Sequence, residues 1–545
     1  MARSIIDPIT RIEGHLRAEM EVTDGVVTDA WVSGGCFRGM ELVVRDRTPE
    51  DAAQIVQRIC GVCPVSHAHA SAIAAEKAYG ISIPNNARII RNLIEGSQFL
   101  HSHILWFYNL AGLDYVNPLN ALSADATAAY DLAAELGTPS ADFVGLQDRL
   151  KKFAENGQLS IFSGNWFDTG EYNLTPEADL ILTAHYLEAL QMQSKASEIA
   201  ALLGGKMPHI MTIVPGGTAF VPTEEKLDDL KGLVDELYNW VASTMIPDTL
   251  AVAKFYPEAA TFGKGVGRYG AWGVFERPSM EMNDRYLPAG VLDENFSLSD
   301  VDESKITEYV GRSWYEGDAD LPPFEQGVKP AFTEYNVDDR YTWNKCPLYD
   351  GKPLETGGFA RLLVAYKRNV PFVVEHIDSL LEALGAKKGD LTALQNTLGR
   401  TGARQIETLY VATLMKEWVE ELCEAIKGGD SAYFEIPDHI TGEGTGFWEA
   451  PRGALYHSEK VKDGKIEDYQ IIIPSTWNLA PHDPHGNYGP LEQALIGVPV
   501  ADIEKPINAL RTVHSFDPCT ACAVHIVEPK TGKKFETVTS PWGVK

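Results

Sequence analysis

Two pairs of thiols, Cys60-Gly-Val-Cys63 and Cys519-Thr-Ala-Cys522, stand 456 positions apart (519 − 63) in a chain of 545 residues. Each is followed within a few residues by a histidine, His67 and His525. A thioredoxin-like redox motif needs one such pair beside a βαβ unit, and no such unit surrounds Cys60. Two pairs read better as four ligands of one centre, because thiolates are soft donors and four of them complete a small coordination shell. On ligand chemistry alone, structural zinc fits this set. Zinc modules, however, keep both pairs within a few dozen residues. A fold that unites these four thiols must bring its two ends together around one buried site.

The remaining totals narrow the class. The chain is long enough for a large core and for two or three folding units. Its formal charge of −29 excludes nucleic acid and anionic membrane surfaces as partners. No apolar run is long enough to span a bilayer. The N-terminus, MARSIIDPITRIEGH, lacks the apolar stretch of an export signal. Seven cysteines, an odd and low count, argue against a secreted disulfide scaffold.

Local signals predict a helix-dominated α+β protein: a bundle of long helices, with small hairpins or sheets near both ends. Asp24-Gly25 and Asp463-Gly464 each divide alternating runs and mark hairpins. Thr48-Pro49-Glu50-Asp51 starts a helix that ends near Cys60, and a second runs from about Ser66 to Gly80. Further helices are expected over 86–110, 176–203, 223–255, 368–384 and 402–427. The windows 155–172 and 258–360, rich in Gly, Pro and aromatics, read as irregular with some strand. No repeat, low-complexity linker or clear domain boundary divides the chain.

Eight segments in order resemble the large subunit of nickel–iron hydrogenases: TRIEGHLR (10–17), FRGME (37–41), RICGVCPVSHAHAS (58–71), GGKMPH (204–209), PGG (215–217), APRGAL (450–455), PSTWNLAP (474–481) and DPCTACAVH (517–525). The C-terminal histidine and PSTWN resemble the membrane-associated uptake type; a cytosolic, cofactor-reducing type is the alternative. The resemblance implies a catalytic subunit that splits H2 reversibly and heterolytically and passes electrons to the iron–sulfur clusters of a small subunit. Such chemistry calls for a soft metal pair and a nearby base.

Carried onto this sequence, the resemblance makes Cys60 and Cys519 terminal nickel ligands, with Cys63 and Cys522 bridging nickel to an iron that carries one carbon monoxide and two cyanides. Cys519 is the expected proton acceptor and Glu13 the next stop outward; taken alone, Glu13 reads as an exposed or capping carboxylate. Arg452 would hang over the open metal position and hold a cyanide. Ser475, beside Pro474, would donate to the other, and Asp517 would orient Arg452. His67 would donate to a bridging thiolate. A magnesium (or iron) ion is expected on Glu41, His525 and a carbonyl near Ile471. Alternatives from other classes are a zinc-stabilised scaffold and a complex-I-like subunit, the latter lacking the cysteine pairs.

Three positions depart from the family's habit: Ser102 where Asp is frequent, Ala480 where Gly is usual and His482 where Arg is usual. Cys36, Cys346 and Cys423 are scattered and read as small hydrophobes rather than cluster ligands. The electrons therefore need a cluster-bearing partner, which in the family carries the export signal and places the pair on the extracytoplasmic face of the membrane, with a cytochrome b as a further partner. The last 20 residues (545 − 525) match the extension that a maturation protease removes once nickel chaperones have loaded the site. The division into one unit, 1–525, and an extension, 526–545, is thus one that the family resemblance implies.

Overall fold

A computed structural model describes residues 2–520 apart from 160, 161, 163, 164, 430 and 437–439, together with two short paired strands, Ile526–Val527 and Lys534–Phe535. The chain opens with an antiparallel sheet of β1 (Ala2–Ile6), β2 (Leu16–Thr23) and β3 (Val26–Gly34). A second sheet near the other end holds β4 (Gly442–Ala450), β5 (Gly453–Lys462) and β6 (Lys465–Ile472). Both expected hairpins form. Asp24 and Gly25 take φ 53° and 76°, and Asp463 and Gly464 take 52° and 77°, the positive angles that let a two-residue loop follow the twist of its strands.

The helices follow their caps. α1 (Pro49–Ile55) is capped by Thr48, whose Oγ1 accepts from the Asp51 N–H at 3.2 Å, and a 3-10 turn then leads to Cys60. α2 (Pro64–Tyr79) starts two residues earlier than the expected Ser66, because proline suits the first helical position. α3 (Asn85–Ile104) continues into a π-helical turn to Ala111, and α4 (Pro176–Gly204) is capped by Thr175. The expected 223–255 helix is interrupted: α5 (Glu224–Trp240) passes through a π-helical segment before Ile246–Phe255. α6 (Gly358–Lys367) lies partly in the window read as irregular. α7 (Thr397–Lys427) starts five residues before the expected 402, since Asn396 caps it by accepting from the Gly399 N–H at 2.8 Å. α8 (Ile507–Ser515) leads to the second thiol pair. Among the described residues no helix is long and apolar enough to cross a membrane.

α3, α4 and α7 contribute much of the largest apolar core, with Leu93, Ile94, Ala189, Ala196, Met415 and Trp418 buried together. Gly96 lets α3 and α7 close up: a Cβ there would lie 3.0 Å from Met415 and 3.3 Å from Trp418. α3 also buries charge, and pairs it. Arg91 reaches Glu76 on α2 at 2.5 Å and the Gly217 carbonyl at 2.9 Å, the pairing that buried ions require.

The contact that positions the thiols is made between backbones. Gly442, Gly444 and Gly446 of β4 lie against the carbonyls of Ala78, Ala74 and Ala70 of α2, and a Cβ at any of the three glycines would overlap those carbonyls. Four residues of helix rise about 6 Å and two residues of strand about 6.8 Å, so an alanine every fourth residue matches a glycine every second one. A run such as GEGTG has poor intrinsic strand propensity, so β4 is not expected from its own residues; the reason for its glycines lies some 370 residues away (444 − 74).

We expect Gly444→Ala to cost about 1–3 kcal/mol through overpacking. Gly232→Ala, on an exposed face of α5 with open space around it, should instead stabilise by up to about 1 kcal/mol. Thermal unfolding followed by circular dichroism should show the two substitutions shifting the midpoint in opposite directions.

Candidate metal centre

Cys60 leaves the 3-10 turn in extended conformation, and Cys63 forms the N-cap of α2. Cys519 arrives from α8 through Asp517, whose φ of 50° turns the chain sharply. The three sulfurs lie within 4.8 Å of one another, all buried, and Cys60 Sγ is 3.2 Å from Cys519 Sγ. The Val62 and Cys63 N–H groups donate to Cys60 Sγ at 3.3 and 3.4 Å. Cys522 and His525 lie outside the described residues.

The N-terminal segment closes the site from the other side. Glu13 and Cys519 form a parallel β-bridge, and the Thr520 N–H donates to the Glu13 carbonyl at 2.8 Å. That pairing brings Glu13 Oε2 to 3.1 Å from Cys519 Sγ, whose S–H donates to it. A pin holds the segment: Arg11 Nη2 donates to Asp114 Oδ1 at 2.5 Å, and His514 Nδ1 sits 2.5 Å from the other oxygen of Asp114.

Arg452 is buried above the thiols. Its Nη1 donates to Ser102 Oγ at 3.2 Å, and Nη2 lies 3.0 Å from Asp517 Oδ1. Nε makes no hydrogen bond among the described residues, and the Nη2–Asp517 approach is an ion pair with poor hydrogen-bond alignment. The Ser475 Oγ accepts from the Cys519 N–H at 2.9 Å, which leaves its own hydrogen for another acceptor. Pro474 and Ser475 line, with Ile59, Cys60, Cys63, His67, Arg452, Ile473 and Cys519, a small chamber. His67 does not touch the described thiols through Nδ1, which lies 3.0 Å from His457 Nε2. Burial pushes the His67 pKa down to about 4, so its ring is neutral.

These residues fit a metal centre on their own chemistry. Hydrogen bonds from Cys519 and Cys63 hold the Cys60 thiol far below its usual range, while the hydrogen bonds with Cys60 and Cys63, then burial and the Cys60 charge, push Cys519 up. One negative charge is thus tolerated, beside Arg452, and the next is resisted. Full ionisation of the set needs a cation among the sulfurs. The buried N–H of Arg452 with no acceptor asks for an acceptor in the same space.

A second chamber adjoins the first, lined by Glu41, Ile471, Glu308, Lys345, Tyr315 and Thr520 among others. Burial pushes the Glu41 carboxyl up, and Lys345 opposes it. Lys345 Nζ pairs with Glu308 at 2.7 Å. Glu41 and Ile471 are therefore brought together as expected, and Glu308 and Lys345 join them without any signal in the sequence.

A further group went unread. The Arg361 guanidinium spends all five N–H groups: Nε and Nη2 on Glu407 (2.6 and 2.7 Å), Nη1 on Glu449 (2.6 Å) and the Ala450 carbonyl (2.9 Å), Nη2 also on the Pro451 carbonyl (2.8 Å). Its target is the backbone immediately before Arg452. Although burial works against it, Arg361 and His103 hold the Glu407 carboxyl down at about 2. Arg361→Met should cost about 3–5 kcal/mol, because two buried carboxylates lose their counter-charge. Lys195→Met, which breaks an exposed pair with Glu236, should cost at most about 1 kcal/mol. Chemical denaturation of the two variants side by side checks the contrast.

The family model described as nickel-dependent hydrogenase matches residues 38–525. The chain is 40% identical to the Hydrogenase-2 large chain of Escherichia coli (strain K12), over 96% of this chain and 97% of that one. It is 36% identical to the uptake hydrogenase large subunit of Rhodobacter capsulatus, over 98% and 97%. Among solved structures, the Ni-Fe-Se hydrogenase of D. vulgaris Hildenborough in the reduced state superposes with a TM-score of 0.81 at 35% identity, covering 96% of this chain and 100% of that one.

Proposed function

The chain belongs to the nickel-dependent hydrogenase family, and from that premise we propose how its residues divide the work of splitting H2. It is the large, catalytic subunit of a nickel–iron hydrogenase, an oxidoreductase acting on H2, and it works with a small subunit.

Cys60, Cys63 and Cys519, with Cys522, would hold a nickel–iron centre. Arg452, Pro474 and Ser475 line the space beside these sulfurs and would hold the carbon monoxide and cyanide ligands of the iron. When bound, the metal pair supplies the soft, electron-rich centre on which H2 is polarised and from which two electrons leave. Cys519 Sγ takes the proton, and Glu13 Oε2 accepts it across the 3.1 Å contact. The observation that carries this reading is that contact: it joins a sulfur of the trio to a carboxylate delivered by the opposite end of the chain. Arg452 keeps a charged donor over the sulfurs. Asp517 orients it, and Arg361 holds the backbone that bears it. Burial on all sides keeps bulk water from the reacting atoms.

Around this core, Glu41 and the Ile471 carbonyl, which line the second chamber with Lys345 and Glu308, would hold magnesium together with His525. Residues 1–525 form the working unit, and 526–545 are an extension removed by a maturation protease after nickel chaperones have acted; the family match ends at residue 525, which supports the division. Electrons leave through iron–sulfur clusters of the small subunit. The pair is exported to the extracytoplasmic face of the membrane and hands electrons to a cytochrome b.

Glu13→Gln keeps the shape of the side chain and removes its basicity. Hydrogen oxidation by the assembled enzyme should fall at least about 100-fold. The infrared bands of metal-bound carbon monoxide and cyanide should stay in place. Loss of those bands would reassign Glu13 to assembly of the centre, and unchanged turnover would remove it from the proton route.

A further inference from the structure

The sheet side of the metal chamber carries a second line of proton-carrying groups. His67, on the chamber wall, has Nδ1 at 3.0 Å from His457 Nε2. His457 Nδ1 is 2.8 Å from the Tyr469 hydroxyl, and that hydroxyl donates to Ser71 Oγ at 2.9 Å. All four side chains are buried. The line is a product of the fold: His67 and Ser71 are one turn apart on α2, while His457 and Tyr469 are diagonal neighbours on β5 and β6 beneath it.

Beyond Tyr469 stands an acid that the catalytic reading does not use. Glu459 is opposite Tyr469 in the β5–β6 register and fully buried, yet neither of its carboxyl oxygens bonds a protein group among the described residues. Burial, with the charge of Glu50 added, pushes this carboxyl well up and favours its protonated form. A buried acid with two orphan oxygens needs partners, and ordered water is the ordinary one. Within its electrostatic reach lie Tyr79 and Glu50, both half-buried, with the Tyr79 hydroxyl donating to Glu50 Oε1 at 3.1 Å. The charge of Glu459 is felt at both tyrosines. From His67 to Tyr79 the helix rises about 18 Å over 12 residues (79 − 67), which takes the line from the metal chamber to the surface.

The geometry points to a second proton conduit, His67–His457–Tyr469–Glu459–Glu50, running along the underside of α2 and separate from Glu13. The transfer balances without a charged imidazole. A proton taken up at His67 Nε2 releases the one on Nδ1 to His457 Nε2. His457 Nδ1 gives its own to the Tyr469 oxygen, and the Tyr469 hydrogen passes by water to Glu459, whose proton leaves towards Glu50. One proton enters, one leaves, and rotation of the hydroxyl with tautomer reversal of the two rings resets the line.

The conduit rests on the four-thiolate centre being the catalytic one, and the test separates it from the Glu13 assignment. In the assembled Glu13→Gln enzyme with its partner subunit, exchange of D2 with water protons is measured before and after adding Tyr469→Phe or Glu459→Gln. Each added substitution should slow the residual exchange about tenfold with the carbon monoxide and cyanide bands unshifted. Independently of activity, the infrared spectrum should hold a protonated-carboxyl band that moves in D2O and is missing from Glu459→Gln. Residual exchange that neither substitution slows, exchange already absent in Glu13→Gln, or a spectrum without that band would each overturn the conduit. If Glu13→Gln runs as fast as wild type, the Glu13 assignment fails instead, and the conduit still requires the same tenfold loss.

Discussion

Helix α2 and strand β4 touch through their backbones, and much of what surrounds the thiols takes its position from that contact. With no side chains between them, neither element can slide without driving a carbonyl into a Cα. At one end of the helix stands Cys63; at the end of the strand stand Glu449 and Ala450, followed by Arg452. The spacing between a metal-binding sulfur and the guanidinium above it is thus set by the least compressible contact a protein can make. The neighbouring face of the same helix, bearing His67 and Ser71, is laid over β5 and β6 by the same docking.

Charge supplies the second layer of constraint. Arg361, Glu407, Glu449, Arg452 and Asp517 are all buried, a collection that would be ruinous unpaired. They are tolerated because each bears on the next: Arg361 satisfies two carboxylates and two carbonyls, and the carbonyls it holds lead directly into Arg452. On the proposed role of Arg452, stability and catalysis share these bonds. A substitution that loosens Arg361 would be felt as misdirection of Arg452 before it was felt as unfolding.

How much of this could be read in advance follows a physical divide. Groups whose chemistry is written in adjacent residues were legible: the two thiol pairs, Glu13 in TRIEGH, Arg452 in APRG, and both Asp-Gly hairpins. Groups whose meaning is a partner far along the chain were not. Arg361 meets Glu407 and Glu449 across 46 and 88 positions, and nothing beside any of the three announces it. Strand β4 leaves no local signal because glycine is locally costly, while its benefit is collected against α2. Asn396 escaped notice as a cap because Gly399 and Gly402 weaken the helical pattern that follows it.

The closure of the chain's two ends also imposes an order in time. Joining Cys60 to Cys519 closes a loop of 459 positions, and bringing its ends together costs about 5 kcal/mol of chain entropy. During synthesis the first thiol pair, its helix and the whole bundle are complete while Cys519 has yet to emerge. On the proposed four-thiolate set, an ion seated early would have only two of its sulfurs and stay open to exchange. The site is therefore the last thing this protein finishes, and its chemistry is withheld until nearly every residue of the fold has already been made.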